Sequence, residues 1–153
     1  LSANPGTHDS SPQPLLHGSR IPAGTAHDMQ RVVAAVIRRG DALLVCQRPA
    51  HKRHGGLWEF PGGKCDPGES DADAITRELH EELGVAVTAV GATIASITDE
   101  GSPYEIVFLP VEISGEPVCL EHDALHWGTP HELLALALAP SDQRFLERLT
   151  HRA

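Results

Sequence analysis

The sequence predicts a single domain built as an α/β sandwich, and three observations carry that prediction. Aliphatic, β-branched runs alternate with helical patterns from residue 30 onward. The segment 71–83 has the periodicity and both end signals of a helix. The 153 residues suffice to bury one proper core, and strands mixed with few helices pack as layers. With 41% hydrophobic and 22% charged residues, the composition is that of an ordinary globular chain. No apolar run approaches the roughly 18 residues of a membrane span, so no membrane partner is expected. The net charge of −9 opposes association with a nucleic acid polymer or an anionic lipid surface. Cys46, Cys65 and Cys119 are odd in number and far apart, with no C-x-x-C pair. That argues against a disulfide framework or a zinc ribbon and predicts a reducing, cytoplasmic setting.

Residues 1–28 are rich in Pro, Gly and Ser and nearly free of bulky apolar side chains. Such a stretch buries too little to offset its ordering entropy, so it reads as a flexible, linker-like tail before a domain at 29–153. Residues 31–38 and 42–48 are strand candidates, joined by a turn at Arg39, Gly40 and Asp41. Residues 49–56 are polar, carry His51, Lys52, Arg53 and His54, and read as a loop. The helix 71–83 opens at Ser70 or Asp71 and closes on Gly84. The runs 85–97 and 104–113 are the next strands, with a turn at 99–103 between them. Two helices close the chain, 131–138 behind Thr129 and Pro130, and 141–151 behind Pro140.

Within the helix 71–83, Ile75, Leu79 and Leu83 recur at i, i+4, i+8 and form one apolar stripe. Glu78 and Glu82 are an i, i+4 pair on its flank, and Glu81 lies within i+4 reach of Arg77. Three carboxylates on one turn repel each other. Two readings stand: a solvated charged face, which is the commoner use of such runs, or a place where a hard divalent cation takes oxygen ligands. Upstream, Phe60, Pro61, Gly62 and Gly63 make a stiff turn with little Cβ bulk, through which backbone groups can approach a ligand.

Gly63, five residues, Glu69, seven residues, then Arg77-Glu78-Leu79-His80-Glu81-Glu82-Leu83-Gly84-Val85 resembles the Nudix box at every defined position. A chance match over a chain of this length has a probability under ~10⁻⁶ at ordinary residue usage. Arg48-Pro49-Ala50 and the segments 57–64, 121–127 and 138–142 resemble the MutT-type branch, closest to bacterial hydrolases of CTP and modified nucleotides. The resemblance spans about 30–150.

The resemblance implies a Nudix α/β/α sandwich around a mixed β-sheet. It implies a nucleoside triphosphate pyrophosphohydrolase that needs Mg²⁺, for which Mn²⁺ can substitute, and that yields a nucleoside monophosphate and pyrophosphate. The role would be clearing oxidised or methylated nucleotides, such as 8-oxo-dGTP, or hydrolysing CTP or dCTP. The metal set it implies is the Gly62 carbonyl, Glu78 and Glu82, with Glu81 beside them and Glu121 brought from a later loop. Glu82 is the residue expected to be indispensable. Arg77 would orient a box carboxylate, and Glu69 would tie the loop to the helix. Glu121 has three readings: metal ligand, general base or plain exposed glutamate.

Substrate contacts are expected from Arg48, Arg53, Glu59, Phe60, Pro61, Gly62 and Lys64. Arg48, Lys52, Arg53 and Lys64 place positive charge on an acidic chain, which suits a metal-bound triphosphate, while solubility alone also accounts for Lys52 and Arg53. Phe60 reads as core or pocket wall, with stacking on a base as the alternative. Asp142 stands where the branch reads the base edge; ionised, it accepts hydrogen bonds and would favour cytosine or guanine donors. It also suits the cap of the last helix. The ten histidines, among them His122 and His126, form no ligand set in sequence and read as surface or loop residues.

Two other functions compete. ADP-ribose or dinucleoside-polyphosphate hydrolases carry a marker Pro or Tyr beyond the box, where this chain has Glu100, Gly101 and Ser102. A non-catalytic nucleotide-binding module would have lost box glutamates, and Glu78, Glu81 and Glu82 are all present. A monomer or a homodimer is expected.

Overall fold

In β1 (Gln30–Val36) successive side chains point to opposite faces, and both faces are apolar: Val33 and Ala35 join one core, Ala34 and Val36 another. A strand apolar on both sides needs a layer on each, which fixes the architecture. The computed structural model describes residues 29–151, and the segment read as a tail, 1–28, lies outside them.

After β1 come β2 (Arg38–Arg39), β3 (Ala42–Gln47), β4 (Trp58–Glu59), β5 (Gly62–Lys64) and α1 (Asp71–Leu83). Then follow β6 (Ala86–Val90), β7 (Ala95–Thr98), β8 (Tyr104–Ser114), β9 (Ala124–Gly128), α2 (Pro130–Leu133) and α3 (Pro140–His151). Among the described residues the strands form two sheets. The larger runs β5-β1-β8-β6 with β7 also on β8; the smaller runs β2-β3-β4 with β9 also on β3. The larger sheet is mixed: β1 is parallel to β8 from Gln30↔Tyr104 to Val36↔Pro110 and antiparallel to β5.

α1 lies on one side, burying Ile75, Leu79 and Leu83 against Val33, Leu44, Val107 and Leu109. α3 lies on the other, where Phe145 stacks on Phe108 at 4.2 Å and Phe60 meets both edge-on. This is the expected sandwich. α1 keeps its expected bounds because its signals are local: the Ser70 side chain accepts the Asp73 N–H at 3.1 Å, and Gly84 takes the left-handed cap at φ 68°. Among the described residues no helix is long and apolar enough to cross a membrane, and all three cysteines are free.

Three expectations need correction. The run 85–97 is two strands, because β8 changes partner along its length: β6 pairs with its end and β7 with its start. Between them Gly91 donates its N–H to the Pro110 carbonyl at 2.8 Å, and a Cβ there would press on the proline ring. The helix expected over 131–138 stops early. A capping box of Thr129 and Glu132 starts α2, but the chain then turns so that Trp58 N–H reaches Ala137 O at 2.8 Å and Ala139 N–H reaches Trp58 O at 2.9 Å. Finally, β4, β5 and β9 had no strand signal at all.

Candidate active site

The site forms where the β4–β5 bend meets the flank of α1. The Pro61 carbonyl accepts the Ala35 N–H at 2.8 Å, which ties the bend to β1. At Gly62 φ is 152°, and a Cβ would overlap the Val33 carbonyl, so only glycine fits. A Cβ on Gly63 would overlap the Glu78 carboxylate. The paired glycines therefore let α1 lay its carboxylates directly on the backbone. Gly62 N–H donates to Glu82 Oε1 at 3.2 Å.

Glu82 is one of the few buried charged residues, at 5% exposure. Burial, together with the adjoining Glu78, pushes its carboxyl well above the usual range, and the Gly62 N–H opposes that only in part. Glu78 is half-buried and takes Arg77 Nη1 at 2.8 Å. Arg77 is a clasp. It bonds both oxygens of Glu69, at 2.9 and 2.8 Å, and the Lys64 carbonyl at 3.1 Å. Glu69 also accepts the Asp66 N–H at 2.8 Å, and with Arg77 this holds its carboxyl down at about 2. The loop before α1, the strand β5 and the Glu78 carboxylate are thus pinned by one guanidinium.

On the smaller sheet, Arg48 Nη1 straddles the two oxygens of Glu59 at 3.2 and 3.3 Å, and its Nε donates to the Arg53 carbonyl at 2.9 Å. His122 Nε2 stands 3.1 Å from Glu59 Oε2. Of the two readings given for His122, surface or loop, the loop holds and the surface does not: it lies just before β9 with its side chain 6% exposed. Its burial depends on β9 pairing with β3, a long-range event with no signature in the local sequence.

Asp142 is buried in the first turn of α3 and accepts the Phe60 N–H at 2.9 Å. Its carboxylate bonds to the β4–β5 bend and also takes its own backbone N–H in the first turn of α3. Burial first, and the nearby Glu59 and Asp99 next, push its carboxyl up to about 8. That direction favours the protonated form, which offers a donor as well as an acceptor, whereas the ionised form offers acceptors only.

The other expected residues fall less centrally. Phe60 is 3% exposed with its ring edge-on to Phe108 and Phe145, so of its two readings core packing holds and stacking on a base does not. Lys64 points its Nζ at the Tyr104 ring, 5.4 Å from the centroid. The Arg53 side chain is exposed, while its carbonyl serves Arg48. Glu81 is half exposed and 3.8 Å from Arg77. Glu121 is exposed in the β8–β9 loop, but that loop is anchored beside the pair, with Leu120 N–H on the Glu82 carbonyl at 3.0 Å.

Among the described residues no three His, Cys, Asp or Glu side chains converge as a ready-made metal cluster. What converges is the Glu78–Glu82 pair on a glycine backbone. Arg77 compensates Glu78, whereas no basic side chain among the described residues pairs with Glu82. An all-oxygen donor set with one uncompensated carboxyl fits a hard divalent cation, which would let both carboxyls ionise.

A carboxylate pair on a helix, laid onto paired glycines and suited to a hard divalent cation, is chemistry fit for the hydrolysis of phosphoanhydrides. The NUDIX domain profile matches residues 28–149, so the chain belongs to this family and is a Nudix hydrolase. It is similar to the CTP pyrophosphohydrolase of Escherichia coli K12, with 45% identity over 123 residues, covering 78% of this chain and 90% of that one. It is 38% identical over 123 residues to the putative 8-oxo-dGTP diphosphatase 2 of Mycobacterium tuberculosis H37Rv, covering 78% of this chain and 87% of that one. Among solved structures, it resembles the E. coli ORF135 protein in solution, with a TM-score of 0.70 and 43% identity over 82% of this chain and 92% of that one. It also resembles a MutT NUDIX hydrolase from Burkholderia pseudomallei, with a TM-score of 0.68 and 28% identity over 77% and 95% of the two chains.

Proposed function

We propose that the protein is a Mg²⁺-dependent nucleoside triphosphate pyrophosphohydrolase that clears non-optimal nucleotides, or cytidine nucleotides, from the cytoplasmic pool. The observation that carries this reading is Glu82, buried beside Glu78 on Gly62 with no basic side chain among the described residues paired to it. The relatives named for CTP and 8-oxo-dGTP support it.

Glu78, Glu82 and the Gly62 carbonyl hold the metal, and Glu81 and Glu121 complete its surroundings. A divalent ion bound there neutralises phosphate charge and lowers the pKa of a bound water. Arg77 keeps Glu78 aimed at the site, and Glu69 keeps Arg77 in place. Arg48 and Glu59 contact the nucleotide. Asp142, with one oxygen committed to the Phe60 N–H, presents the other to the base edge. Protonated, it donates to cytosine N3 or O2, or to guanine N7 or O6. The partner is the triphosphate itself, with no membrane or nucleic acid polymer, and the enzyme acts as a monomer or homodimer within a domain at 29–153.

The test is a panel of ordinary, oxidised and methylated nucleoside triphosphates with ADP-ribose and a diadenosine polyphosphate, read as pyrophosphate and monophosphate release. Preference for a cytosine or modified guanine triphosphate is the expected result. Turnover of ADP-ribose alone would move the protein to another branch of the family.

A further inference from the structure

A buried histidine is an expensive way to fill space. Packing His122 at 6% exposure removes two ring nitrogens from water. Only Nε2 finds a partner, Glu59 Oε2 at 3.1 Å, while Nδ1 is buried without one. An apolar ring of the same shape would pack there without that cost. What the imidazole adds is one N–H aimed at one carboxylate oxygen.

That carboxylate is otherwise weakly fixed. Glu59 sits on a two-residue strand, held on one side through Cys46 and Gln47 of β3 and on the other by the Trp58 bonds to Ala137 and Ala139; these fix its backbone but not its carboxylate. Arg48 Nη1 straddles both of its oxygens and selects neither. His122 arrives from the opposite edge of β3, where Ala124 pairs with Gln47 and Asp123 N–H donates to the Gln47 carbonyl at 3.0 Å. The histidine is therefore registered to the same Gln47 that registers β4.

We propose that His122 is a positioning residue for the nucleotide grip. Its Nε2–H fixes the Glu59 carboxylate, and through Glu59 the Arg48 guanidinium, in the orientation that receives the substrate. This rests on the triphosphate reading above. No hydrogen bond or ion pair among the described residues links the Arg48–Glu59–His122 array to the Glu78–Glu82 pair, so losing the bond is expected to weaken binding more than the chemical step.

His122→Phe keeps the ring and removes the donor, and His122→Gln returns an amide N–H near the Nε2 position. On the best triphosphate of the wild type, His122→Phe is expected to raise KM about tenfold with kcat within about twofold. His122→Gln should recover most of that loss, and His122→Phe should add nothing in a Glu59→Gln background. Nitrogen-resolved NMR of the free protein should show a protected His122 Nε2–H resonance that moves in Glu59→Gln. Wild-type KM in His122→Phe would overturn the proposal, as would equal damage from Phe and Gln with kcat falling, or a resonance indifferent to Glu59. If the wild type turned over no triphosphate, the activity reading would fail, and the NMR comparison would still decide the His122–Glu59 contact by itself.

Discussion

Glu82 and Asp142 are both carboxyls that burial drives toward the neutral form, and they differ in what relieves them. Glu82 faces another carboxylate, so a cation relieves it. Asp142 faces a backbone N–H, which favours the ionised form and opposes the effect of burial only in part. In the folded protein its carboxyl stays protonated up to about pH 8, whereas unfolded it ionises near the ordinary 3.8. Between these values the unfolded chain binds fewer protons, so this group's contribution to stability is lost as pH rises from about 4 to about 8. Asp142→Asn keeps the acceptor for Phe60 and cannot ionise. The gap in melting temperature between the Asn variant and the wild type should therefore widen over that window in the variant's favour; a constant gap would contradict the burial effect. The same variant should reorder the preferred bases more than it lowers turnover on the best one. The sequence marks Asp142 as a candidate reader of the base edge, but its protonation is set by burial with Glu59 and Asp99 against the Phe60 N–H, surroundings that only the fold brings to it.

At the scale of elements, α1 and the β4–β5 bend act as one unit. The helix was legible to the residue, since its caps and its stripe of Ile75, Leu79 and Leu83 lie within one continuous segment. The bend was legible only as a glycine-rich turn. Strands of two or three residues such as β4 and β5 have no periodicity to read, and β9 shows itself only by pairing with β3. For the same reason the Arg77–Glu69–Glu78 cluster was half foreseen, and the Arg48–Glu59–His122 array was not foreseen as a connected set. Two predictions belong here. Gly63→Ala forces the Glu78 carboxylate aside and should cut turnover by about 100-fold while the melting curve stays nearly unchanged. Unchanged turnover would show that Glu78 need not touch the bend. Ser70→Ala removes the α1 cap bond and should lower stability by about 1 kcal/mol in a denaturant titration, with turnover preserved.

For the whole molecule, two helical layers hold apart the two parts of the proposed site: the Glu78–Glu82 pair on the α1 side and Asp142, proposed to read the base, on the α3 side. The bend between β4 and β5 joins them, since Phe60 N–H is bonded to Asp142 and Gly62 N–H to Glu82. The family profile matches residues 28–149. Removing residues 1–28 is accordingly expected to leave the melting temperature and turnover as they are, and a poorly folded product would show that the segment packs on the domain. The most direct measurement is pyrophosphate release from CTP against Mg²⁺ concentration, in the wild type and in Glu82→Gln. The expected result is no release under a chelator, saturation with Mg²⁺, and a loss of about 10²–10³-fold in a variant that melts like the wild type. Release at the wild-type rate by Glu82→Gln, or by the chelated enzyme, would contradict a divalent-metal centre on the Glu78–Glu82 pair.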